Sequence, residues 1–322
     1  MQNSGFKTKI LTAIAFGSVS QYSLAALPDT LKLDYAYYAP TSLVVKEQKL
    51  LEKALPNTQI KWVFSQGSNR SLEYLNSGSV DFSSTAGLAA VLSRANGSPI
   101  KTVYIQSQPE WTALLVAKNS PIKSLKDLKG KKIAATKGTD PFLFTLQALE
   151  TAGLNKKDVQ LVHLQHPDGK TALERGQVDA WAGLDPLMAS AQVQSGAKLL
   201  YRNVGFNSYS VLSTKEQFAS QSPEAIEAVI KAYEQARKWA KANPAKLAEL
   251  LARESKLPIA VAKLQLSRTN FEQNIPTVKH INTLKKSGTI LTEEDLVRKG
   301  TNVNQVIDQL FDAKYANKVV KK

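Results

Sequence analysis

Apolar and polar positions along the chain alternate in blocks, and the blocks recur. Leu31 to Tyr37 reads as a strand running into the turn Ala39-Pro40-Thr41-Ser42, and Ile60-Lys61-Trp62-Val63-Phe64 as a strand leading to Ser65-Gln66-Gly67-Ser68-Asn69. A helical stretch then ends in Asn76-Ser77-Gly78, passes into Val80-Asp81-Phe82, and reaches the turn Ser83-Ser84-Thr85-Ala86-Gly87. The later segment repeats this. Lys132-Ile133-Ala134-Ala135 runs into Thr136-Lys137-Gly138-Thr139-Asp140-Pro141, and Val159 to Leu164 leads to Gln165-His166-Pro167-Asp168-Gly169. Ala172-Leu173-Glu174-Arg175-Gly176-Gln177-Val178-Asp179-Ala180-Trp181 then reaches Gly183-Leu184-Asp185-Pro186. Gly78 and Gly176 are 98 positions apart, as are Val80 and Val178, and Asp81 and Asp179. A glycine that ends a helix adopts the left-handed conformation at little steric cost, so each repeat reads as helix, glycine cap, strand.

Strands alternating with helices twice over predict an α/β protein of two lobes, each a mostly parallel sheet flanked by helices. Pro109 to Val116 and Gly205 to Leu212 read as two crossover strands forming a hinge. Residues 26–111 with 209–322 then form lobe 1, and 112–208 form lobe 2. After Thr214 the chain turns helical. Ile226, Val229, Ile230, Tyr233, Ala236 and Trp239 fall at spacings of three and four, a stripe expected to pack on lobe 1.

Composition narrows the picture. The 322 residues are 43% hydrophobic and 21% charged, an ordinary globular balance. At the start, Lys7 and Lys9 precede an apolar run from Ile10 to Val19 and the small residues before Ala26, the pattern of a signal peptide over 1–25. There is no cysteine, which excludes disulfides, thiolate metal sites, cysteine nucleophiles and a lipid-bearing cysteine after the leader. Free protein in a periplasm is the expectation. The net charge of +15 comes from lysines scattered along helices and turns, as at Lys123, Lys126 and Lys129, with no nucleic-acid module among them. A positive field of this kind steers small anions. His163 and His166 have no third donor beside them, so no metal site is expected.

The leader, Gln66-Gly67-Ser68-Asn69, Asn76 to Phe82, Ser120 to Ala134 and Ala172 to Trp181 together resemble the aliphatic-sulfonate, taurine and nitrate group of ABC-transporter substrate-binding proteins. The resemblance covers essentially the whole mature chain. It implies a type II periplasmic-binding-protein fold, hinge closure on a small organic anion and delivery to an ABC permease in the inner membrane. A monomer without cofactor is implied. An aliphatic sulfonate is the first expected ligand; taurine, a sulfate ester, nitrate or a thiamine precursor are the alternatives, followed by an enzyme on the same fold. No Gly-x-Ser-x-Gly elbow or phosphate-binding Gly-Lys loop is present to support the last.

The candidate ligand groups lie where strands meet helix starts, since helix N-termini offer free N–H groups to anions. They are Thr41; Gly67, Ser68 and Asn69; Thr85 and Ala86; and Thr139 and Asp140. The hydroxyls of Ser68, Thr85 and Thr139 are expected on the charged head, although each such residue is equally a helix cap. Asp140-Pro141 and Asp185-Pro186 repeat an N-cap followed by proline; facing the cleft instead, either carboxylate would hold an amine. Tyr38, Trp111 and Trp181 are the aromatic candidates for an alkyl or aryl tail.

Overall fold

The computed structural model describes residues 27–320; the leader over 1–25 and the start at Ala26 lie outside the described residues. Eleven strands are described. The first four are β1 (Thr30–Tyr35), β2 (Gln59–Phe64), β3 (Phe82–Ala86) and β4 (Ile100–Pro109). Then come β5 (Thr112–Val116), β6 (Lys132–Ala134), β7 (Gln160–Val162), β8 (Ala180–Leu184) and β9 (Lys198–Tyr201), followed by β10 (Ser210–Lys215) and β11 (Thr269–Asn270). They form a six-stranded sheet in the order β11-β4-β10-β3-β1-β2 and a five-stranded sheet in the order β7-β6-β8-β5-β9.

The two orders correspond. β2-β1-β3 and β7-β6-β8 are parallel sets, and each is followed by one antiparallel strand, β10 or β5, that arrives from a crossing. The repeat seen in the sequence is the reason. Gly78 (φ 77°) and Gly176 (φ 67°) end the helices Ser68–Ser77 and His166–Glu174 in the left-handed conformation. Asp81 and Asp179 then do the same work in each half. Each carboxylate accepts the amide of the lysine opposite, Lys32 or Lys132, at 2.8 Å, which aligns the strand entering after the glycine.

The chain crosses from the first sheet to the second between Pro109 and Thr112, and returns between Tyr201 and Ser210. The two passages are tied together. The Thr112 amide donates to Asn207 Oδ1 at 2.9 Å, and Arg202 grips Glu110 through two hydrogen bonds of 2.8 and 2.6 Å.

The helix Pro223–Ala242 buries Ile226, Val229, Ile230, Tyr233 and Ala236, with Trp239 half-buried at the edge. This stripe joins one core with Leu31, Leu33, Phe82 and Leu212 of the six-stranded sheet. Each such side chain contributes about 1.5–3 kcal/mol on burial. A second core, containing Leu88, Val91, Leu284 and Ile290 with Phe142, Leu143 and Leu146, is continuous from one half to the other. No helix among the described residues is long and apolar enough to cross a membrane.

Candidate functional site

The ends of β1, β2 and β8 and the helix starts beyond them face each other across the seam between the sheets. A cavity of about 230 Å³ lies there. The side belonging to the six-stranded sheet gives it Tyr37, Tyr38, Phe64, Ser65, Gln66, Ser255 and Leu257. The opposite side gives His166, Pro167, Leu184, Asp185, Pro186 and Leu187. Most of this wall is apolar, and the rings of Tyr37 and Phe64 meet at a tilt of 42° with 4.7 Å between centres. The volume is below the range usual for drug-sized ligands, so the cavity suits a small occupant.

Of the residues singled out from the sequence, Tyr38 and Asp185 line this cavity. Others flank it at the seam. A Cβ placed on Gly67 would come within 2.7 Å of His166 Nε2, and one on Gly138 within 3.7 Å of Asn69 Cβ. Ser68 Oγ accepts the Ala86 amide at 2.9 Å, which leaves its own proton free to donate. The Thr85 hydroxyl is buried at the end of β3 and has no hydrogen-bond partner. The Ser68–Ala86 bond thus joins the two segments 67–69 and 85–86, none of whose residues lines the cavity itself.

Several expectations need correction. Trp181 is not at the cleft: its ring is buried with Leu115, Leu173 and Met188, and its Nε1 lies against Gly169. Alternation along β8 explains this, because Leu184 and Trp181 are an odd number of residues apart and face opposite sides of the sheet. Thr41 donates to Gln106 Oε1 at 2.8 Å and is buried within its own half. Thr139 is the N-cap residue, but its side chain makes no capping bond; it donates to Thr136 O at 2.6 Å and closes the turn around Gly138. Its only proton is therefore committed.

Asp140 is neither the N-cap nor a cavity group. It is the first helical residue of Asp140–Thr151, and its carboxylate takes Trp111 Nε1 (3.0 Å), the Ser208 amide (2.9 Å) and the Ser208 hydroxyl (2.7 Å). It ties both crossings to the second half. Burial raises its pKa, against the lowering effect of the Ser208 and Trp111 hydrogen bonds. Trp111 in turn meets Tyr38 edge-on at 5.8 Å. The Ser208 hydroxyl also accepts the Leu88 amide at 3.1 Å, and Tyr209 O accepts that of Gly87. These bonds use the helix start that follows Thr85 and Ala86.

Asp185 precedes the N-cap, Pro186, of the helix Leu187–Ser195, and its Oδ1 accepts the Ala189 amide at 2.9 Å. Across the seam Arg268 Nε approaches its Oδ2 at 2.8 Å. Burial pushes this carboxyl up to about 6, outweighing the pull of the Arg268 guanidinium. With Arg268 in place, no free carboxylate charge remains for an amine. Beneath the same corner, Asp34 is wholly buried. It accepts the Ser71 hydroxyl and the Ser84 amide (2.7 Å), and burial pushes it up to about 6 as well.

Sequence reasoning missed His166, Ser65, Gln66, Arg268 and the apolar wall. A signal for His166 was present. It stands 98 positions after Ser68, and both open a helix that follows a strand.

Two sheets of matching order, joined by two crossings, with a small cavity at the carboxyl ends of the strands between them, define a type II periplasmic-binding-protein fold. The family model "NMT1/THI5 like" matches residues 58–247. The chain belongs to that family. It is 31% identical over 297 residues to an aliphatic sulfonates-binding protein of Escherichia coli (strain K12), covering 91% of this chain and 93% of that one. Among solved structures it is similar to the alkanesulfonate-binding protein SsuA from Xanthomonas axonopodis pv. citri bound to MOPS, at 26% identity and a TM-score of 0.81 over 87% of this chain and 98% of that one. The periplasmic aliphatic sulphonate binding protein SsuA from Escherichia coli matches at 28% identity and a TM-score of 0.76, covering 89% and 94%.

Proposed function

We propose that this chain is the solute-binding component of an ABC importer, and that it captures a small organic anion, first an aliphatic sulfonate, between its two lobes. The observation that carries this is the composition of the cavity. An apolar wall of Tyr37, Phe64, Leu184, Leu187 and Leu257 meets a few polar groups at one corner, as an alkyl tail with a charged head requires. The names of the relatives point the same way. The lobes are 26–111 with 209–322, and 112–208, and the ligand closes them. Export to the periplasm, a permease partner in the inner membrane and a monomeric state belong to this reading. So does binding without turnover, as the names of the relatives suggest. Taurine is a weaker fit, since Asp185 is already matched by Arg268.

Calorimetry with alkane-1-sulfonates of two to six carbons, taurine, sulfate and nitrate tests the proposal, in buffers that are not themselves sulfonates. Affinity should rise with chain length to the limit of the cavity, while sulfate and nitrate bind more than tenfold more weakly. Nitrate or sulfate binding with no alkanesulfonate binding would overturn it, as would chemical conversion of the ligand.

A further inference from the structure

His166 is wholly buried, yet one of its ring nitrogens has no partner. The hydrogen bonds around it decide its tautomer. Thr136 Oγ1 lies 2.7 Å from Leu164 O, an atom that can only accept, so the single hydroxyl proton goes there. Toward His166 Nδ1, 3.1 Å away, the same oxygen can then only accept. Nδ1 therefore carries the ring proton, and Nε2 presents a bare lone pair. That lone pair points across the seam at Gly67, on the rim of the cavity that His166, Ser65 and Gln66 line. Only glycine permits this approach, since a Cβ at position 67 would lie 2.7 Å from Nε2 and 3.0 Å from Asn69 Oδ1, which is also unpartnered.

Two unpartnered atoms from opposite halves thus lie beside Gly67, next to the cavity that His166 lines. An anion such as a sulfonate brings only acceptor oxygens. Against a bare Nε2 its oxygens are repelled; against Nε2–H they are held by a charge-assisted hydrogen bond. We infer that His166 is a ligand-reading residue: capture of the anion carries one proton from solvent onto Nε2, and the resulting imidazolium supplies the positive charge on the ligand's head. The inference rests on the proposed reading of the cleft as an anion site.

The surrounding charges do not pre-empt this role. Arg70 on the helix Ser68–Ser77, Lys137 in the turn before Thr139, and Asp168 on the helix of His166 itself are exposed. Asp185, on the same cavity wall, is held by Arg268. Burial alone pushes the imidazole down to about 3 with the halves together as described, so without an anion beside it there the ring is neutral from pH 5.5 to 7.5. An anion alongside raises it. Affinity must then grow as pH falls through the value in the complex and on toward about 3, by at most tenfold per pH unit, because one proton is bound.

Butane-1-sulfonate is the probe, since it stays ionised throughout and any proton taken up belongs to the protein. Titration calorimetry at pH 6 in acetate and in bis-Tris, which differ in ionisation enthalpy, should give different apparent enthalpies, and affinity should rise at least about threefold from pH 7.5 to 5.5. His166→Gln keeps a hydrogen-bonding amide near Nε2 but cannot titrate; its proton uptake and pH dependence should fall clearly below those of wild type, with only the share of Asp185 left. His166→Asn, with its amide at the Nδ1 position, should show the same fall in uptake and bind more weakly. Melting curves confirm that each variant is folded. Wild-type binding with flat affinity and no proton exchange would sink the inference while leaving the anion-binding reading intact, and uptake that persists undiminished in both variants would also sink it. Failure of the wild type to bind the probe at any pH removes the reading beneath both.

Discussion

Arg268 and Asp185 form a buried contact between the halves whose worth can be bounded. Arg268 is fixed at the end of the helix Ile259–Ser267, next to β11, which pairs with β4 of the six-stranded sheet, whereas Asp185 ends β8 of the other sheet. The guanidinium is 9% exposed and the carboxylate 1%. Replacing Arg268 by Met leaves the carboxylate with no countercharge when the lobes are together, and hydrated when they are apart. In the closed form its escape is to protonate. Holding a carboxyl of ordinary value 3.8 neutral costs about 5 kcal/mol at pH 7.5 and about 2 kcal/mol at pH 5.5. Those figures are ceilings, and they fall on closure rather than on folding. Arg268→Met should therefore bind butane-1-sulfonate more weakly than wild type, by up to several thousandfold at pH 7.5. The ratio between the two proteins should narrow by as much as a hundredfold at pH 5.5. Taking the ratio cancels any titration common to both. Adding Asp185→Asn to Arg268→Met should recover most of the loss, since the amide still accepts from Ala189 and carries no charge. Calorimetry gives the affinities, and scattering gives the fraction closed. A defect in Arg268→Met that does not change with pH, or a double variant as weak as the single, refutes this reasoning.

Two further substitutions separate closure from stability. Gly67 is extended (φ 176°), so Ala there meets no backbone strain, but its Cβ would lie 2.7 Å from His166 Nε2 and 2.9 Å from its Cδ2; Gly67→Ala should cut affinity more than tenfold in calorimetry, since the halves cannot meet there without displacing the buried ring. Asp34→Asn mimics the protonated carboxyl, whose pKa is raised from 3.8 to about 6; the stabilisation that proton gives is present below 3.8 and lost as pH rises through 6, so urea unfolding should show Asn gaining up to about 3 kcal/mol over wild type at pH 8 and nothing at pH 4.

What was legible in the sequence was whatever depends on local pattern. The glycine caps at 78 and 176, the aspartates that follow them and the stripe from Ile226 to Trp239 are short-range signals, and the repeat made them visible twice. The site was only partly legible, because which atoms a side chain spends on its own structure is decided by partners far away in sequence. Thr41 is taken by Gln106, Asp140 by Trp111 and Ser208, and the helix start after Ala86 by Ser208 and Tyr209. Arg268 had no motif around it, and its role exists only because β11 brings it to the end of β8. Trp181 was misplaced by a matter of parity along one strand.

The repeat also explains why a symmetric scaffold can hold an asymmetric ligand. Ser68 and His166 occupy the same place in the two halves, as first residues of helices after β2 and β7. Ser68 accepts the Ala86 amide and keeps a proton to donate; His166 spends its proton on Thr136 and offers a lone pair. One half therefore brings a ready donor and the other a donor that forms only with a proton from solvent. Beside them the cavity has an apolar wall, with Phe64 on one side and Leu184 and Leu187 on the other. A ligand with identical ends would leave one of these environments unmatched, at the full desolvation cost of the polar groups involved. A head of acceptor oxygens on an apolar tail matches both once the imidazole is charged. On the proposed reading, the divergence of a single repeated position, serine in one half and histidine in the other, orients the ligand and makes its capture respond to pH.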